Sequence, residues 1–190
     1  PMNTKQIHSP LPSLVVAAAL ALSQACLAQN QLLEVLKDEN ARGAEFWIYN
    51  NLAAARAEAR RTDKPLFVTF RCVPCAACNG FDAEVAKNNQ RIIQLAQEKF
   101  VAVRQVEMKG GDLSQFQFDY DLNWAAMFLN ADGTVYARYG TQSAEGPDAY
   151  NSIVSLEKTL RRVLALHNGY PANKAALAGQ LGKPQPNKTA

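Results

Sequence analysis

Three segments of the chain, residues 45–61, 78–99 and 148–167, carry apolar residues at helical spacing among charged and polar ones. The last segment has the clearest stripe, at i, i+3, i+7, i+10 and i+11: Ile153, Leu156, Leu160, Val163 and Leu164. Such a stripe is typical of a helix that buries one face. The pattern therefore predicts three amphipathic helices, the second of them bent at its polar middle, and a short helix capped by Asp112.

Short runs of β-branched and aromatic residues predict the strands. Residues 65–71 read Pro-Leu-Phe-Val-Thr-Phe-Arg, which is typical of a largely buried strand. Residues 100–108 alternate between apolar and other positions, and residues 125–129 and 134–139 are joined through an Asp-Gly turn. The first two runs thus predict two strands with a helix between them, and the last two predict a hairpin.

The order of these elements restricts the fold. A strand-helix-strand unit requires a parallel pair with a right-handed crossover, and the hairpin adds antiparallel strands to the same sheet. We expect an α/β fold with a mixed four-stranded sheet flanked by helices and an extra helix at the N-terminal side. A length of 190 residues accommodates one such domain with extensions.

Composition and charge agree with a globular domain. Hydrophobic residues make up 48% of the chain and charged residues 19%, so a packed core is expected. The net charge of +3 comes from interspersed basic and acidic residues, without a basic block of the kind that follows a phosphate backbone. We therefore expect no nucleic-acid partner.

The N-terminal residues have the layout of a secretory signal peptide. Lys5 precedes the apolar run 14–22, and Cys26 and Ala28 are small residues at the two positions that define a cleavage after residue 28. The run is too short to span a bilayer comfortably, and no later segment comes close. We expect an exported protein, periplasmic or extracellular, with no transmembrane segment after signal removal. Lipid anchoring at Cys26 is the less favoured alternative, because Ser23 stands where such signals carry an aliphatic residue.

These observations divide the chain into four parts. Residues 1–28 are the predicted signal peptide, and residues 29–44 are a spacer or short helix. Residues 45–170 hold the predicted domain, and residues 171–190 form a C-terminal tail rich in proline and lysine near its end.

Beyond residue 28 the chain has three cysteines, all within seven residues: Cys72, Cys75 and Cys78. They lie where a predicted strand ends and a helix begins. Unpaired backbone N–H groups and the helix dipole at such a start stabilise a thiolate, and a Cys-x-x-Cys spacing allows one thiol to resolve a mixed disulfide formed by the other. Cysteines that staple a small domain are scattered to close long loops, so these three are expected to carry chemistry.

The sequence around the cluster resembles the thioredoxin superfamily, in particular its exported thioredoxin-like proteins. The matching features are the run 64–70 (Lys-Pro-Leu-Phe-Val-Thr-Phe), the Cys75-Ala76-Ala77-Cys78 motif, Phe81, and the run 100–103 (Phe-Val-Ala-Val). The resemblance covers roughly residues 45–167. It implies a thioredoxin-like fold and thiol-disulfide exchange with protein thiols or disulfides of the cell envelope, with no cofactor.

The resemblance leaves two pairings open. The family's usual distance from the strand aromatic Phe70 favours Cys75 as the attacking thiol and Cys78 as its resolving partner, with Cys72 as a third thiol. The proline in Cys72-Val73-Pro74-Cys75 matches instead the family's familiar Cys-Gly-Pro-Cys composition, which favours the Cys72/Cys75 pair. The distance from Phe70 is given more weight than the proline between Cys72 and Cys75, so Cys75/Cys78 is the predicted redox pair.

Three departures from the family concern the surroundings of the thiols. Pro74 stands where a tryptophan usually precedes the first cysteine, and Thr69 stands where many members bury an acid. The strand that faces the thiols begins without the family's cis-proline, at residues 123–126 (Asn-Trp-Ala-Ala). Pro74, Trp124 and Ala125 are therefore the candidate residues of a substrate groove, although a place in the core is the favoured interpretation for Trp124.

Other functions remain as alternatives. Three thiolates at Cys72, Cys75 and Cys78 also suit Cu(I), or Zn with a fourth ligand, so a soft-metal binding protein is the second hypothesis. A catalytically silent interaction domain on the same scaffold is the third, because a fold does not determine a function. With His167 the one histidine after residue 28, a Ser-His-Asp hydrolase is excluded.

Overall fold

The computed structural model describes residues 34–107, 115–116, 123–140, 145–146 and 149–178, together with Leu27 and Gln31. Two compact units divide the chain after Lys37. In the first, residues 34–36 are helical. The helix predicted at Asp112, and the predicted signal peptide and C-terminal tail for the most part, lie outside the described residues.

The second unit begins at Asp38 and includes the predicted domain, residues 45–170, together with residues predicted to be C-terminal tail. The described residues of this unit form five α-helices: α1 (Leu52–Thr62), α2 (Asn79–Ala83), α3 (Gln90–Lys99), α4 (Ile153–Asn168) and α5 (Lys174–Ala178). A 3-10 turn, Ala76–Cys78, leads into α2, and a π-helical turn, Glu84–Asn88, follows it. The predicted bend in the second helix is therefore present, as a break at Asn89.

Side-chain caps explain where two of these helices begin. The side chain of Asn89 accepts a hydrogen bond from the backbone N–H of Ile92 at 3.3 Å, which starts α3. Asn51 does the same for Ala54 at 3.0 Å, so α1 begins at Leu52. The predicted helix over residues 45–61 is thus too long at its N-terminal end, because residues 45–46 lie in a turn and Ile48 and Tyr49 form a strand.

Five strands form one mixed sheet: β1 (Ile48–Tyr49), β2 (Leu66–Arg71), β3 (Val101–Gln105), β4 (Trp124–Leu129) and β5 (Val135–Tyr139). Their order is β1-β3-β2-β4-β5. The first three pair in parallel, while β4 pairs antiparallel with β2 and with β5. The predicted mixed α/β sheet is confirmed, with β1 as an additional edge strand that periodicity had assigned to a helix.

Alternation along the strands divides the core into two layers. On one face Phe67, Ala102 and Phe128 pack with α3 and α4, in a cluster that also contains Cys78. On the other face Val68, Val103 and Met127 pack with α1. Because side chains alternate along a strand, Arg71 in β2 and Arg104 in β3 share the parity of Phe67 and Ala102 and belong to the face that holds Cys78.

None of the helices in the described part of the chain has the length and apolar character that crossing a membrane requires.

Candidate active site

The cysteine loop begins where β2 ends. The backbone N–H of Cys72 donates to the carbonyl of Asn123, just before β4, at 3.1 Å. The backbone N–H of Cys75 then donates to the carbonyl of Cys72 at 3.1 Å, which closes a tight turn. A disulfide joins the two side chains with a Cα–Cα distance of 5.4 Å, well within the range that a disulfide spans. Both cysteines are partly exposed, so this bond is accessible to a partner.

Cys78 lies outside the disulfide and is fully buried. It ends the 3-10 turn and packs in the same core cluster as Trp124 and Val85. Its Sγ lies 2.9 Å from Nη1 of Arg71, whose side chain is 2% exposed. The third thiol is therefore held inside the domain by a buried cation.

A second buried arginine organises the carboxylates behind the loop. Arg104 binds Asp38 through Nε at 2.7 Å and Nη2 at 2.9 Å. It binds Asp82 through Nη1 at 2.9 Å and Nη2 at 2.7 Å. Both contacts are bidentate, which is the strong geometry for a guanidinium and a carboxylate. We call the four residues Asp38, Arg71, Asp82 and Arg104 the buried charge network.

Neutral donors complete the network. Asp82 also accepts from Nδ2 of Asn40 at 2.7 Å and from Nε1 of Trp124 at 3.0 Å. The hydroxyl of Tyr49 donates to Asp38 at 3.1 Å. With two arginines and two aspartates the formal charges balance, which a buried ionic cluster requires. Residues 38–40, predicted to be spacer, thus contribute two side chains to this cluster.

Residues 47–131, which include the cysteine loop and the cores of β2, β3 and β4, match the protein family described as thioredoxin-like. The chain carries a thioredoxin-like domain. The fold expected from the sequence resemblance is confirmed. A search of curated proteins with this chain found no match.

The disulfide of the thioredoxin-like domain corrects the predicted pairing. The sequence favoured Cys75/Cys78, whereas the structure joins Cys72 to Cys75. The physical reason is that β2 continues through Arg71, so Cys72 opens the hydrogen-bonded turn that brings its side chain to Cys75. Cys78, one helical turn further on, points into the core and contacts Arg71 instead. One disulfide among three cysteines is what their spacing predicts.

The predicted groove residues of the domain have three different environments. Pro74 is exposed at the tip of the cysteine loop. Trp124 is 2% exposed and packs edge-on against Phe81 at a centroid distance of 4.9 Å, so its place is in the core. Ala125 is also 2% exposed and belongs to the opposite layer. Trp124 and Ala125 therefore do not form one open surface, although Trp124 stands opposite Arg71 in the strand register.

The position of the family's buried acid is taken by a different arrangement. Thr69 uses its hydroxyl to bond the carbonyl of Val103 at 3.2 Å and carries no charge. The buried carboxylate next to the cysteine loop is Asp82, on α2, which begins directly after Cys78. The charged group near the cysteine loop is therefore carried by a helix, whereas in many family members it lies on the strand.

Burial and hydrogen bonding act in opposite directions on Asp82. Burial alone raises the pKa of this carboxyl, but the bonds and charge of Arg104, the Asn40 bond and the charge of Arg71 outweigh it and hold the pKa below its usual range. For Tyr49 burial dominates, and Asp38 reinforces it, so the pKa of the phenol lies well above its usual value. Asp82 therefore stays ionised and Tyr49 stays a donor.

The state of Asp82 makes the stability of the domain dependent on acid. A depressed folded-state pKa contributes stability above the unfolded value of about 3.9, and this contribution is lost as pH falls through the folded value. We expect the free energy of unfolding, measured by urea denaturation, to fall below about pH 4 by on the order of 1.4 kcal/mol per pH unit for each proton taken up. Asp82→Asn should flatten this fall, and the exposed control Glu98→Gln should keep it. Equal slopes for the two variants would contradict the assignment.

Sequence reasoning missed the buried charge network. The available signal was Arg104 in the middle of an otherwise apolar strand and Arg71 at the end of another, since an arginine in a buried strand requires a partner. The partners could not be identified from sequence, because Asp38 lies 66 residues from Arg104 and Asp82 lies 22 residues away.

His167, the one histidine after residue 28, lies in another part of the domain. Its Nδ1 is 2.9 Å from the hydroxyl of Tyr136, and its Nε2 is 3.0 Å from the carbonyl of Asp63. Within the described residues, no group of three or more His, Cys, Asp or Glu side chains has an arrangement that could hold a metal ion. His167 thus fastens α4 to the sheet and to the end of α1.

Proposed function

We propose that this protein is a cell-envelope thiol-disulfide exchange protein that works through Cys72 and Cys75. The observation that carries the proposal is a disulfide between these cysteines, in a partly exposed loop that follows a strand of a thioredoxin-like domain. A disulfide in this position is accessible to an incoming thiol, whereas the adjacent strand residues Arg71 and Trp124 are buried.

The exchange proceeds in two steps, each an attack of a thiolate on a disulfide sulfur. In the reduced protein the thiolate of Cys75 attacks a partner's disulfide, a mixed disulfide forms, and one partner sulfur leaves as a thiolate. Cys72 then attacks Cys75 Sγ, the intramolecular disulfide forms, and the second partner sulfur leaves with the electron pair. The reverse sequence oxidises a partner dithiol. Cys75 keeps the role expected from the sequence, and Cys72 takes the resolving role expected of Cys78.

A protein partner in an oxidising compartment fits this site. The residues exposed around the disulfide are small and uncharged: Pro74, Ala76, Ala77, Asn79 and Gly80. Such a surface accepts a peptide segment without requiring a charged partner. The N-terminal signal pattern supports export, and disulfides persist in exported proteins.

The buried arginine argues against the soft-metal alternative. Three thiolates would have to face one cation, and in the oxidised protein two of the three sulfurs are bonded to each other. In the reduced protein a Cu(I) or Zn ion bound to Cys78 would lie beside the guanidinium of Arg71, which is 2.9 Å from that sulfur. Charge repulsion in a buried site disfavours this arrangement.

A matched pair of substitutions tests the proposal. In a Cys26→Ser background, Cys72→Ser is expected to lower turnover of a small disulfide substrate by at least about tenfold, because the mixed disulfide at Cys75 loses its partly exposed resolving thiol and retains only the buried thiol of Cys78. Cys78→Ser removes a buried thiol outside the disulfide and is expected to leave turnover within about threefold of the parent protein. The measurement is the rate of thiol release under excess reductant.

Two outcomes contradict the proposal. A larger loss for Cys78→Ser than for Cys72→Ser would restore Cys75/Cys78 as the exchanging pair. If the parent protein turns over the substrate no faster than a free thiol in solution does, the silent interaction domain is favoured. If the reduced parent protein retains Cu(I) through anaerobic gel filtration, the metal-binding function is favoured.

A further inference from the structure

The side chain of Arg71 connects all three cysteines. Its Nη1 lies 2.9 Å from Sγ of Cys78 and donates to the carbonyl oxygens of Cys72 at 2.6 Å and Cys75 at 3.0 Å. Nη2 reaches Oδ1 of Asn79 at 3.4 Å. One buried guanidinium therefore fixes the third thiol relative to both ends of the disulfide loop.

The charge of Arg71 is only partly matched by Asp82. The carboxylate oxygens of Asp82 already accept from Arg104, Asn40 and Trp124. Nε of Arg71 lies 3.1 Å from Oδ2 of Asp82, an ion pair without the alignment of a hydrogen bond. The acceptors of Nη1 in the described part of the chain are two neutral carbonyls and the sulfur of Cys78. A guanidinium N–H binds an ionised acceptor more strongly than a neutral one, so this contact favours the thiolate of Cys78.

We propose that Arg71 is a positioning residue for an internal exchange in which Cys78 attacks the Cys72–Cys75 disulfide. This inference rests on the proposed function and assigns to the third cysteine a role that the function does not require. Cys78 follows Cys75 at the same three-residue spacing that joins Cys72 to Cys75, across a single helical turn. Cys75 is the extended N-cap of the 3-10 turn and Cys78 is its third residue, and an N-cap side chain lies close to the third residue of its turn, so the attack does not require the turn to unfold.

The exchange balances without an external oxidant or reductant. The thiolate of Cys78 forms a bond with Sγ of Cys75 while the Cys72–Cys75 bond breaks. The electron pair of the broken bond goes to Sγ of Cys72, which leaves as a thiolate. One disulfide replaces another, and the reactive thiol moves from fully buried Cys78 to partly exposed Cys72. The domain thereby presents a thiol to a partner while it remains oxidised.

Kinetic trapping tests this exchange. The oxidised full chain carrying Cys26→Ser is incubated at neutral pH with iodoacetamide, quenched in acid, and digested, and the peptide containing residues 72–78 is sequenced by tandem mass spectrometry. In the parent protein we expect the label to accumulate on Cys72, because each exchange exposes that thiol and alkylation traps it. Cys78→Ser should abolish the labelling of Cys72.

Arg71→Met is expected to slow the labelling of Cys72 by about tenfold or more, because the apolar side chain no longer holds the thiolate of Cys78 against the loop. A merely structural role gives the opposite signature: loosening the core would expose Cys78 and increase direct labelling of that residue. Arg71→Lys keeps the positive charge but lacks the planar set of N–H donors of the guanidinium, so it should give an intermediate rate. It provides the test if Arg71→Met does not fold.

Labelling of Cys72 at the parent rate in Arg71→Met, or in Arg71→Lys if the former does not fold, would overturn the role of Arg71. Labelling confined to Cys78 in the parent protein would overturn the internal exchange. The assay contains no substrate disulfide, so it can succeed in a protein whose turnover fails. Conversely, normal turnover with unlabelled Cys72 would leave the proposed function intact and refute this inference alone.

Discussion

Replacing Arg104 with methionine is expected to lower the free energy of unfolding by about 3–5 kcal/mol, because the change leaves buried carboxylates without their main cation. Arg104 is fully buried and makes bidentate contacts with both Asp38 and Asp82. Methionine has a similar length and is apolar, so the loss comes from the charges and little from packing. Such a loss is a large part of the stability of an ordinary domain, about 5–15 kcal/mol. Urea denaturation at neutral pH measures it.

The matched control is an exposed ion pair on α4. Nη2 of Arg161 lies 2.7 Å from Oε1 of Glu157, with 62% of the arginine side chain exposed. Arg161→Met should cost less than about 1 kcal/mol, since water and salt screen an exposed pair. Similar small losses for both variants would show that the buried charge network contributes little to stability.

The network also limits which acid variants are informative. Asp38→Asn and Asp82→Asn each remove one negative charge and leave a buried guanidinium partly unmatched. Asp82→Asn retains an acceptor for Arg104 and Trp124, so its cost should be smaller than that of Arg104→Met. The order of these losses would separate charge balance from hydrogen bonding inside the same cluster.

Much of the fold could be predicted from the sequence, because periodicity reports which faces are buried. The stripe on α4 is compatible only with a helix, and the β-branched runs of β2 and β3 are compatible only with strands. β1 has only two residues, Ile48 and Tyr49, and its apolar pattern joins that of α1 without interruption. A strand this short at a sheet edge is defined by its pairing with β3, which lies more than 50 residues away and leaves no local signal.

The site could be predicted only in part. Three cysteines at a strand-to-helix junction indicate thiol chemistry, and that much depends on local spacing. Their pairing depends on where β2 ends and on the turn that leads from Cys72 to Cys75. A rule that counts residues from Phe70 takes account of neither feature. The role of Arg71 depends on the burial of its guanidinium and on contacts with Cys78 and Asp82, which only the folded chain brings together.

The buried charge network and the cysteine loop form one arrangement. Arg104 fixes Asp82, Asp82 lies 3.1 Å from Arg71, and Arg71 holds the loop carbonyls and Cys78. In the proposed exchange, a buried support of this kind would hold the sulfurs near one another while bonds are exchanged, which is the condition for fast intramolecular resolution.

Replacing Cys75 with serine is expected to reduce disulfide exchange by more than about 100-fold, the largest effect on activity that we predict. Cys75 is the sulfur common to the observed disulfide with Cys72 and to the internal exchange with Cys78. A serine hydroxyl is un-ionised at neutral pH and cannot form either bond. The two remaining cysteines, Cys72 and Cys78, are six positions apart, and Cys78 is buried.

Turnover of a small disulfide in the Cys26→Ser background measures the loss, with Cys78→Ser as the control that keeps Cys75. Intact mass after mild oxidation supplies an independent reading, because the variant should keep both thiols where the parent protein loses two hydrogens. Exchange in Cys75→Ser at more than a tenth of the parent rate would require a different attacking sulfur and would refute the central place of Cys75.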